Sequence, residues 1–333
     1  MSNMRSVPPL IRLGHPMAFY TFLRHVGAPL EHYLRSLRLP VLCEDPNVWV
    51  PLQQVWGFFD TAARHEDPML GWRVGAYAGD HNLNARLLRK LESSTTLLQA
   101  FRELVRLART EASEIELGVY ERPEDVLFYT RYSGLRQMPG YTISQAYQLG
   151  VILDLIRTFL GRHWVPNEVG IESPLAPSAA QELFPGSRIL TRRFAGYIAV
   201  PRSCLHCSAP RTASTIDDGA SVPTVRDFNY VSTLRAMLKA YVSEGYPSQQ
   251  FAAELMNTSV RTLTRRLADH GQTYGALIDD LRFEKAKDAL QNPDLRIVDV
   301  AQSLGFADQG NFTRMFRRIG GLTPKQYRST VLS

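Results

Sequence analysis

Residues 251–267 recur in outline at residues 300–316, 49 positions later and without a gap. Phe251-Ala-Ala-Glu-Leu255 lies over Val300-Ala-Gln-Ser-Leu304, and Leu263-Thr-Arg-Arg-Leu267 over Phe312-Thr-Arg-Met-Phe316. Ala252 and Ala301, Leu255 and Leu304, Thr264 and Thr313, and Arg265 and Arg314 are identical pairs. Each copy reads as a short helix, a tight turn and a second helix with a basic outer face. That is the pattern of a helix-turn-helix, whose second helix enters the DNA major groove. Two copies in one chain predict a subunit that grips two successive major-groove faces.

The residue types support each copy. In the first, Thr258 or Ser259 can cap the second helix. Around that helix Val260, Leu263 and Leu267 share one side, and Arg261, Thr262, Arg265 and Arg266 the other. In the second copy Ile297, Val300, Ala301 and Leu304 form an i, i+3, i+4, i+7 stripe. Gly305 suits the left-handed turn and Asp308 the next cap. Beyond them Phe312, Met315, Phe316 and Ile319 face inward, while Gly310, Arg314, Arg317 and Arg318 face out. Gln309 and Asn311 fall on the first turn, where recognition helices meet base edges. Between the copies, Tyr274 to Gln291 reads as a long amphipathic helix ended by Asn292-Pro293. Two arginine-rich helices on a solvated surface would look similar one at a time. Capping, repetition in register and a connecting helix argue against that reading.

The run Ile297-Val-Asp-Val-Ala-Gln-Ser-Leu-Gly-Phe306, then Phe312-Thr-Arg-Met-Phe316 and Gly321-Leu-Thr-Pro-Lys-Gln-Tyr-Arg328, resembles the C-terminal signature of the AraC/XylS family of bacterial transcription regulators. The resemblance covers roughly residues 230–330. It implies an all-α domain of about seven helices with two helix-turn-helix units. It also implies base readout by helix 259–268 (Arg261, Arg265) and helix 309–318 (Gln309, Arg314). One departure stands out: Met256 occupies the place that Gly305 takes in the second copy, which leaves Asn257 to adopt the left-handed conformation.

Residues 16–205 read differently. Met17 to Val26, Leu30 to Leu37, Leu52 to Ala63, Ala85 to Arg109 and Tyr141 to Gly161 have helical patterns. Glu114 to Tyr120 and Val126 to Tyr132 alternate as strands joined by Glu121-Arg-Pro-Glu-Asp125, a hairpin. Glu168 to Glu172, Ile189 to Arg192 and Phe194 to Val200 are further strands. The expected fold is α+β: a mixed helix/strand ligand-sensing domain followed by the helical DNA-binding domain. The boundaries drawn are a tail at 1–15, an effector-binding and dimerisation domain at 16–207, a Ser/Thr/Pro-rich linker at 208–224 and the DNA-binding domain at 225–333. The first domain resembles the branch of the AraC family related to the ornithine-utilisation regulator, through its layout and segments such as Leu153-Asp-Leu-Ile-Arg157 and Phe184-Pro-Gly186. That branch senses small molecules, from amino acids to lipids. Phe128 and Tyr132, on one face of a strand, are the candidate ligand contacts, with core packing as the plainer role.

Net charge narrows the partners. The 333 residues carry a net +6. From Val225 onward there are 15 Lys+Arg against 11 Asp+Glu, so +4 of that surplus sits in the last third, where a polyanion would meet it. No run of 18 apolar residues and no signal-peptide core is present, so a cytoplasmic, nucleoid-associated protein without membrane contact is expected. There is no Gly-rich phosphate loop and no G-x-S-x-G elbow, and the histidines are scattered (His15, His25, His32, His65, His81, His163). Cys204-Leu-His-Cys207 has the spacing of a zinc or redox site, but only Cys43 remains besides. Neither cofactor, metal nor enzymatic activity is expected. The expected function is a DNA-binding regulator, most often an activator. Its partners would be promoter DNA, RNA polymerase, a small-molecule effector (amino acid, fatty acid or other metabolite) and a second copy as homodimer. Two rivals stand: a DNA-repair methyl acceptor with Cys204 or Cys207 as nucleophile, and a ligand-independent DNA binder.

Overall fold

The computed structural model describes residues 7–43, 45–81, 83, 87, 91, 94–173, 178–208 and 228–332. The linker drawn at 208–224 lies outside the described residues from 209 on. The described residues group into two compact units. One comprises the described residues within Pro9–Leu39 and Val50–Asp227, and the other those within Met1–Pro8, Pro40–Trp49 and Phe228–Ser333.

The first unit is α+β. Its elements run β1 (Leu10–Arg12), α1 (Met17–His25), α2 (Leu30–Ser36), β2 (Trp49–Pro51), α3 (Leu52–His65), α4 (Leu70–Asp80), α5 (Leu97–Glu111), β3 (Ile115–Glu121), β4 (Asp125–Tyr132), α6 (Tyr141–Leu160), β5 (Glu168–Gly170), α7 (Ser178–Leu183), β6 (Arg188–Leu190) and β7 (Gly196–Pro201). The expected hairpin is β3–β4, in register from Ile115↔Tyr132 to Glu121↔Val126. The sheet order is β3-β4-β7-β5-β6, antiparallel except for β5–β6. Alternation along β4 and β7 sends Val126, Phe128, Ile198 and Val200 to one apolar face. Against that face α5 packs Leu97, Ala100, Phe101 and Leu104, and α6 packs Leu149, Ile152, Leu153 and Ile156. The Phe101 and Phe128 rings stack at 3.9 Å. The helix expected over Ala85–Arg109 is interrupted at 94–96, and most of its part before that lies outside the described residues; the described helix begins at Leu97, where the Thr96 hydroxyl caps it by accepting from Gln99 N.

The sequence pattern does not reveal four elements: β1, β2 (Trp49–Pro51), α4 and α7. Residues 10–13, assigned to a tail, are buried and open the fold with β1. Three residues are too few to show a period. The six-residue α7 is similarly short. Helix α4 hides behind Gly71, Gly75 and Gly79, since glycine lowers helix propensity. Gly71 and Gly75 let α4 meet α6 backbone to backbone, and Gly79 makes room for the Asp154 side chain. A Cβ on Gly71 would lie 2.2 Å from the Ile143 carbonyl oxygen, and one on Gly150 would lie 2.8 Å from Gly75 Cα.

The C-terminal part of the second unit contains seven described α-helices: α8 (Tyr230–Lys239), α9 (Gln249–Leu255), α10 (Val260–Ala268), α11 (Tyr274–Leu290), α12 (Ile297–Ser303), α13 (Gln309–Gly320) and α14 (Pro324–Val331). Their boundaries are chemical. Asn229, Ser248, Ser259, Thr273, Asp308 and Thr323 each cap the helix that follows. Thr323 and Gln326 form a full capping box with Pro324 at the first helical position. Phe312, Met315 and Phe316 pack with Val300, Ala301, Leu304, Ala286 and Leu290 into one core, as the apolar stripe required.

Candidate nucleic-acid interface

Each repeat folds as α9-turn-α10 or α12-turn-α13. Leu263 and Leu267 of α10 are buried, as are Ala252 and Leu255 of α9. The second helix therefore lies on the first along its apolar stripe. The turns differ as the sequence indicated. Gly305 takes φ +77, whereas in the first copy Asn257 takes φ 49 in the position after Met256. Asn tolerates that region better than other non-glycine residues, at a modest cost. Asn257→Gly is therefore expected to leave the melting temperature unchanged or raise it, and Asn257→Val to lower stability by about 1–2 kcal/mol. Chemical denaturation of the two variants measures this.

Burial fixes the faces. Arg261 and Arg265 on α10, and Gln309, Asn311, Arg314, Arg317 and Arg318 on α13, are exposed, while Thr262 and Arg266 are half-buried. Arg265 and Arg314 occupy the same place in the two copies. The Ser259 hydroxyl accepts from Thr262 N at 3.2 Å and donates to the Thr262 hydroxyl at 3.0 Å, so Thr262 belongs to the cap. Arg266 lies over the Tyr230 ring at 5.0 Å, a cation–π contact to α8. The Arg318 guanidinium pairs with Asp279 of α11 at 2.5 Å. Asp308 accepts from Asn311 N at 2.8 Å and from the Asn311 amide, and Asn311 Oδ1 accepts from Arg314. A chain of side-chain bonds thus links the α13 cap to the arginine one turn on, orienting it. Gln249 donates to the Thr264 hydroxyl at 2.8 Å and ties α9 to α10. The sequence showed the faces, but not that Arg266 and Arg318 hold partners far along the chain.

The other candidates lie in the first unit. Phe128 faces the apolar core and stacks on Phe101. Tyr132 is buried four residues on, but in polar company: Gln148 Nε2 donates to its hydroxyl at 2.8 Å, and the Thr130 hydroxyl donates to Gln148 Oε1. Burial holds the Tyr132 phenol well above its ordinary pKa, so it stays protonated. The partners Ser144, Gln145 and Gln148 were not singled out from sequence. The signal was there: Tyr141, Ser144, Gln145 and Gln148 fall at i, i+3, i+4, i+7, and all four are buried. Cys204, which closes the short 3-10 turn Arg202–Cys204 after β7, and Cys207 just beyond it are free thiols, half-buried, with the Cys207 carbonyl accepting from Leu97 N at 3.1 Å. Among the described residues no three His, Cys, Asp or Glu side chains are gathered to hold a metal ion.

Burial alone pushes His15 down to about 4. The residue as a whole is half-buried, but its Nε2 is sealed from solvent and has no hydrogen-bond partner among the described residues. The unfolded chain therefore takes up a proton that folded His15 refuses between pH 6.5 and about 4, so stability falls as pH falls through that window. The loss is at most about 3 kcal/mol, less to the extent that water reaches the ring. Urea unfolding of wild type and His15→Gln across pH 4–7 should show the steeper decline in wild type.

Two basic, capped helix-turn-helix units in one helical unit, preceded in sequence by an α+β unit, define a DNA-binding regulator with an appended sensory part. Family models agree. One described as a helix-turn-helix domain matches residues 252–330. Another, described as the arabinose-binding domain of AraC transcription regulator, N-terminal, matches residues 27–208. The chain belongs to the AraC family of transcription regulators. It is 39% identical over 83 residues to the ornithine utilization regulator of Pseudomonas aeruginosa, covering 25% of this chain and 24% of that protein. It is 35% identical over 96 residues to the transcriptional activator RhaS of Escherichia fergusonii, covering 28% of this chain and 34% of that protein. The chain thus spans about a quarter to a third of the length of these curated relatives. The crystal structure of the transcriptional regulator CdpR from Pseudomonas aeruginosa aligns over 90% of this chain and 96% of its own, at 21% identity and a TM-score of 0.34.

Proposed function

We propose that this protein is an effector-controlled, sequence-specific DNA-binding regulator. α10 and α13 enter successive major grooves. Arg261 and Arg265 from the first, and Gln309 and Arg314 from the second, read base edges. Arg can span O6 and N7 of guanine with two parallel bonds. Asn311 positions Arg314, and Arg317 lies near phosphate. Arg266 and Arg318 act from the rim, since each already holds an intramolecular partner. The first unit binds a small molecule, and the effector acts by favouring one arrangement of the chain over another. The regulator works inside the cell as a homodimer that contacts RNA polymerase. It activates transcription; the relative RhaS is named a transcriptional activator. It carries out no chemistry itself.

The observation that carries this reading is the equivalent exposure of Arg265 and Arg314 on the outer faces of two capped helices. Helix α11 between the copies has 17 residues, about 26 Å of rigid rod, near the roughly 34 Å of one DNA turn. Fluorescence anisotropy of the full chain on labelled DNA from upstream of its own operon tests it. The expected result is binding whose logarithm falls linearly and steeply with that of salt, and which exceeds binding to scrambled DNA by about 10³-fold or more. Equal affinity for both sequences would contradict specific readout. A mass increase of one methyl group on Cys204 or Cys207 after exposure to alkylated DNA would favour the repair reading instead.

A further inference from the structure

Polar side chains buried in a core are costly unless paired, and the first unit concentrates such groups in one place. Thr130 and Tyr132 from β4, Tyr141, Ser144, Gln145 and Gln148 from the first two turns of α6, Trp56 from α3 and Glu172 after β5 all meet there. Trp56 stands edge-on to Tyr132, with ring centroids 4.7 Å apart, and to Tyr141 at 5.7 Å. Gln148 bonds Thr130 and Tyr132 and lies 3.4 Å from the Ser144 hydroxyl. Tyr141 donates to Glu172 Oε1 at 2.5 Å, Gln145 donates to the same oxygen at 2.8 Å, and Gln145 Oε1 accepts from Glu172 N at 3.2 Å. Glu172 Oε2 faces Arg136 Nε at 2.6 Å. Arg136, half exposed, also donates to the Phe194 carbonyl and closes the cluster toward solvent. Glycine makes room: a Cβ on Gly196 would lie 2.9 Å from the Gln145 side chain.

One donor stands apart. Trp56 is 0% exposed, and its indole Nε1–H has no acceptor among the described residues. A buried donor left without a partner costs more than a bond made is worth. Such atoms are rare in folded proteins and call for an explanation.

We infer that this cluster is the effector site, and that the effector is a small uncharged molecule whose oxygen accepts from Trp56 Nε1–H while its body lies against Trp56, Tyr132 and Tyr141. The charge follows from the lining. Glu172 and Arg136 neutralise each other, and the remaining side chains are neutral, so a charged guest would be buried without a counter-charge. Hydroxyl, lactone and amide oxygens fit, because the surrounding amides and hydroxyls both donate and accept. The inference rests on the reading of the first unit as the effector-binding part.

Thermal melting of the full chain tests it, with L-arabinose, D-ribose, γ-butyrolactone and 2-pyrrolidinone as uncharged probes and L-ornithine, L-arginine and decanoate as charged ones. At 10 mM at least one uncharged probe should raise the melting temperature by about 2 °C or more, because a molecule that binds only the folded state stabilises it. Trp56→Phe keeps a ring and deletes the donor, and should abolish that rise. Without any probe, Trp56→Phe removes an unsatisfied donor but also leaves a void in the core, so its own melting temperature is the baseline against which each probe is compared. The inference fails if no probe raises the melting temperature, if only charged probes do, or if the rise survives in Trp56→Phe. DNA binding by the wild-type chain is measured separately. Its absence would sink the regulator reading whatever the melting shows, whereas intact DNA binding with any of these failures sinks only the effector site.

Discussion

Replacing Arg265 and Arg314 together by alanine is expected to weaken binding to the cognate site by about 30-fold to 10⁴-fold, while the protein melts as before. The magnitude follows from the chemistry. Each arginine that spans a guanine edge is worth about 1–3 kcal/mol of discrimination, and each 1.4 kcal/mol is tenfold in affinity. The two helices belong to separate repeats, so the losses should add approximately. Stability should hold because both guanidiniums are exposed; Arg314 loses only its bond to Asn311. Each single variant should lose binding mainly on its cognate sequence and accept substitutions at one base position. Anisotropy on matched and mismatched duplexes reads this directly. An equal loss on every sequence would assign the arginines to phosphates. No loss at all would remove α10 and α13 from the interface.

The second large effect concerns the fold. Gly71→Ala should lower stability by about 3 kcal/mol or more, a melting shift of about 6–12 °C for a domain of this size. The added methyl carbon would sit 2.2 Å from the Ile143 carbonyl oxygen and 3.0 Å from Ala146 Cβ. Neither the carbonyl nor the helix backbone behind it yields as a flexible side chain does, so α4 and α6 must separate. Ile143 and Ala146 flank Ser144 and Gln145, so the shift would also disturb the polar cluster at the start of α6. Calorimetry of the variant measures the loss. A melting temperature within about 1 °C of wild type would show that α4 and α6 are not held in backbone contact. Gly27→Ala is a useful comparison, since it has open space and meets only the strain of its φ of +76.

How much was legible in the sequence depended on the range of the interactions. The double helix-turn-helix was legible because its signals are local: apolar residues at helical spacing, Ser259 and Asp308 as caps, Gly305 at a left-handed turn. Even the departure at Met256 could be read forward to Asn257. The β3–β4 hairpin was legible for the same reason, through alternation and a polar turn. Helix α4 was not, because Gly71, Gly75 and Gly79 serve contacts with another helix and argue against a helix when taken alone. Gly71 faces Ile143, 72 positions away. Arg266 and Arg318 were placed on the DNA face by periodicity, which is silent about Tyr230 and Asp279. Tyr132 and Phe128 share a face of one strand, yet one meets Gln148 and the other Phe101. Strand alternation gives the side, and only the helices laid across it decide polar or apolar company.

Hydroxyl-radical footprinting of the full chain on DNA from upstream of its operon tests the central claim, that each subunit sets two arginine-bearing helices into consecutive major grooves. For each bound subunit, two protected patches should appear about 10 base pairs apart. Arg314→Ala should thin one patch and Arg265→Ala the other. A single patch per subunit, or patches that neither substitution changes, would contradict it.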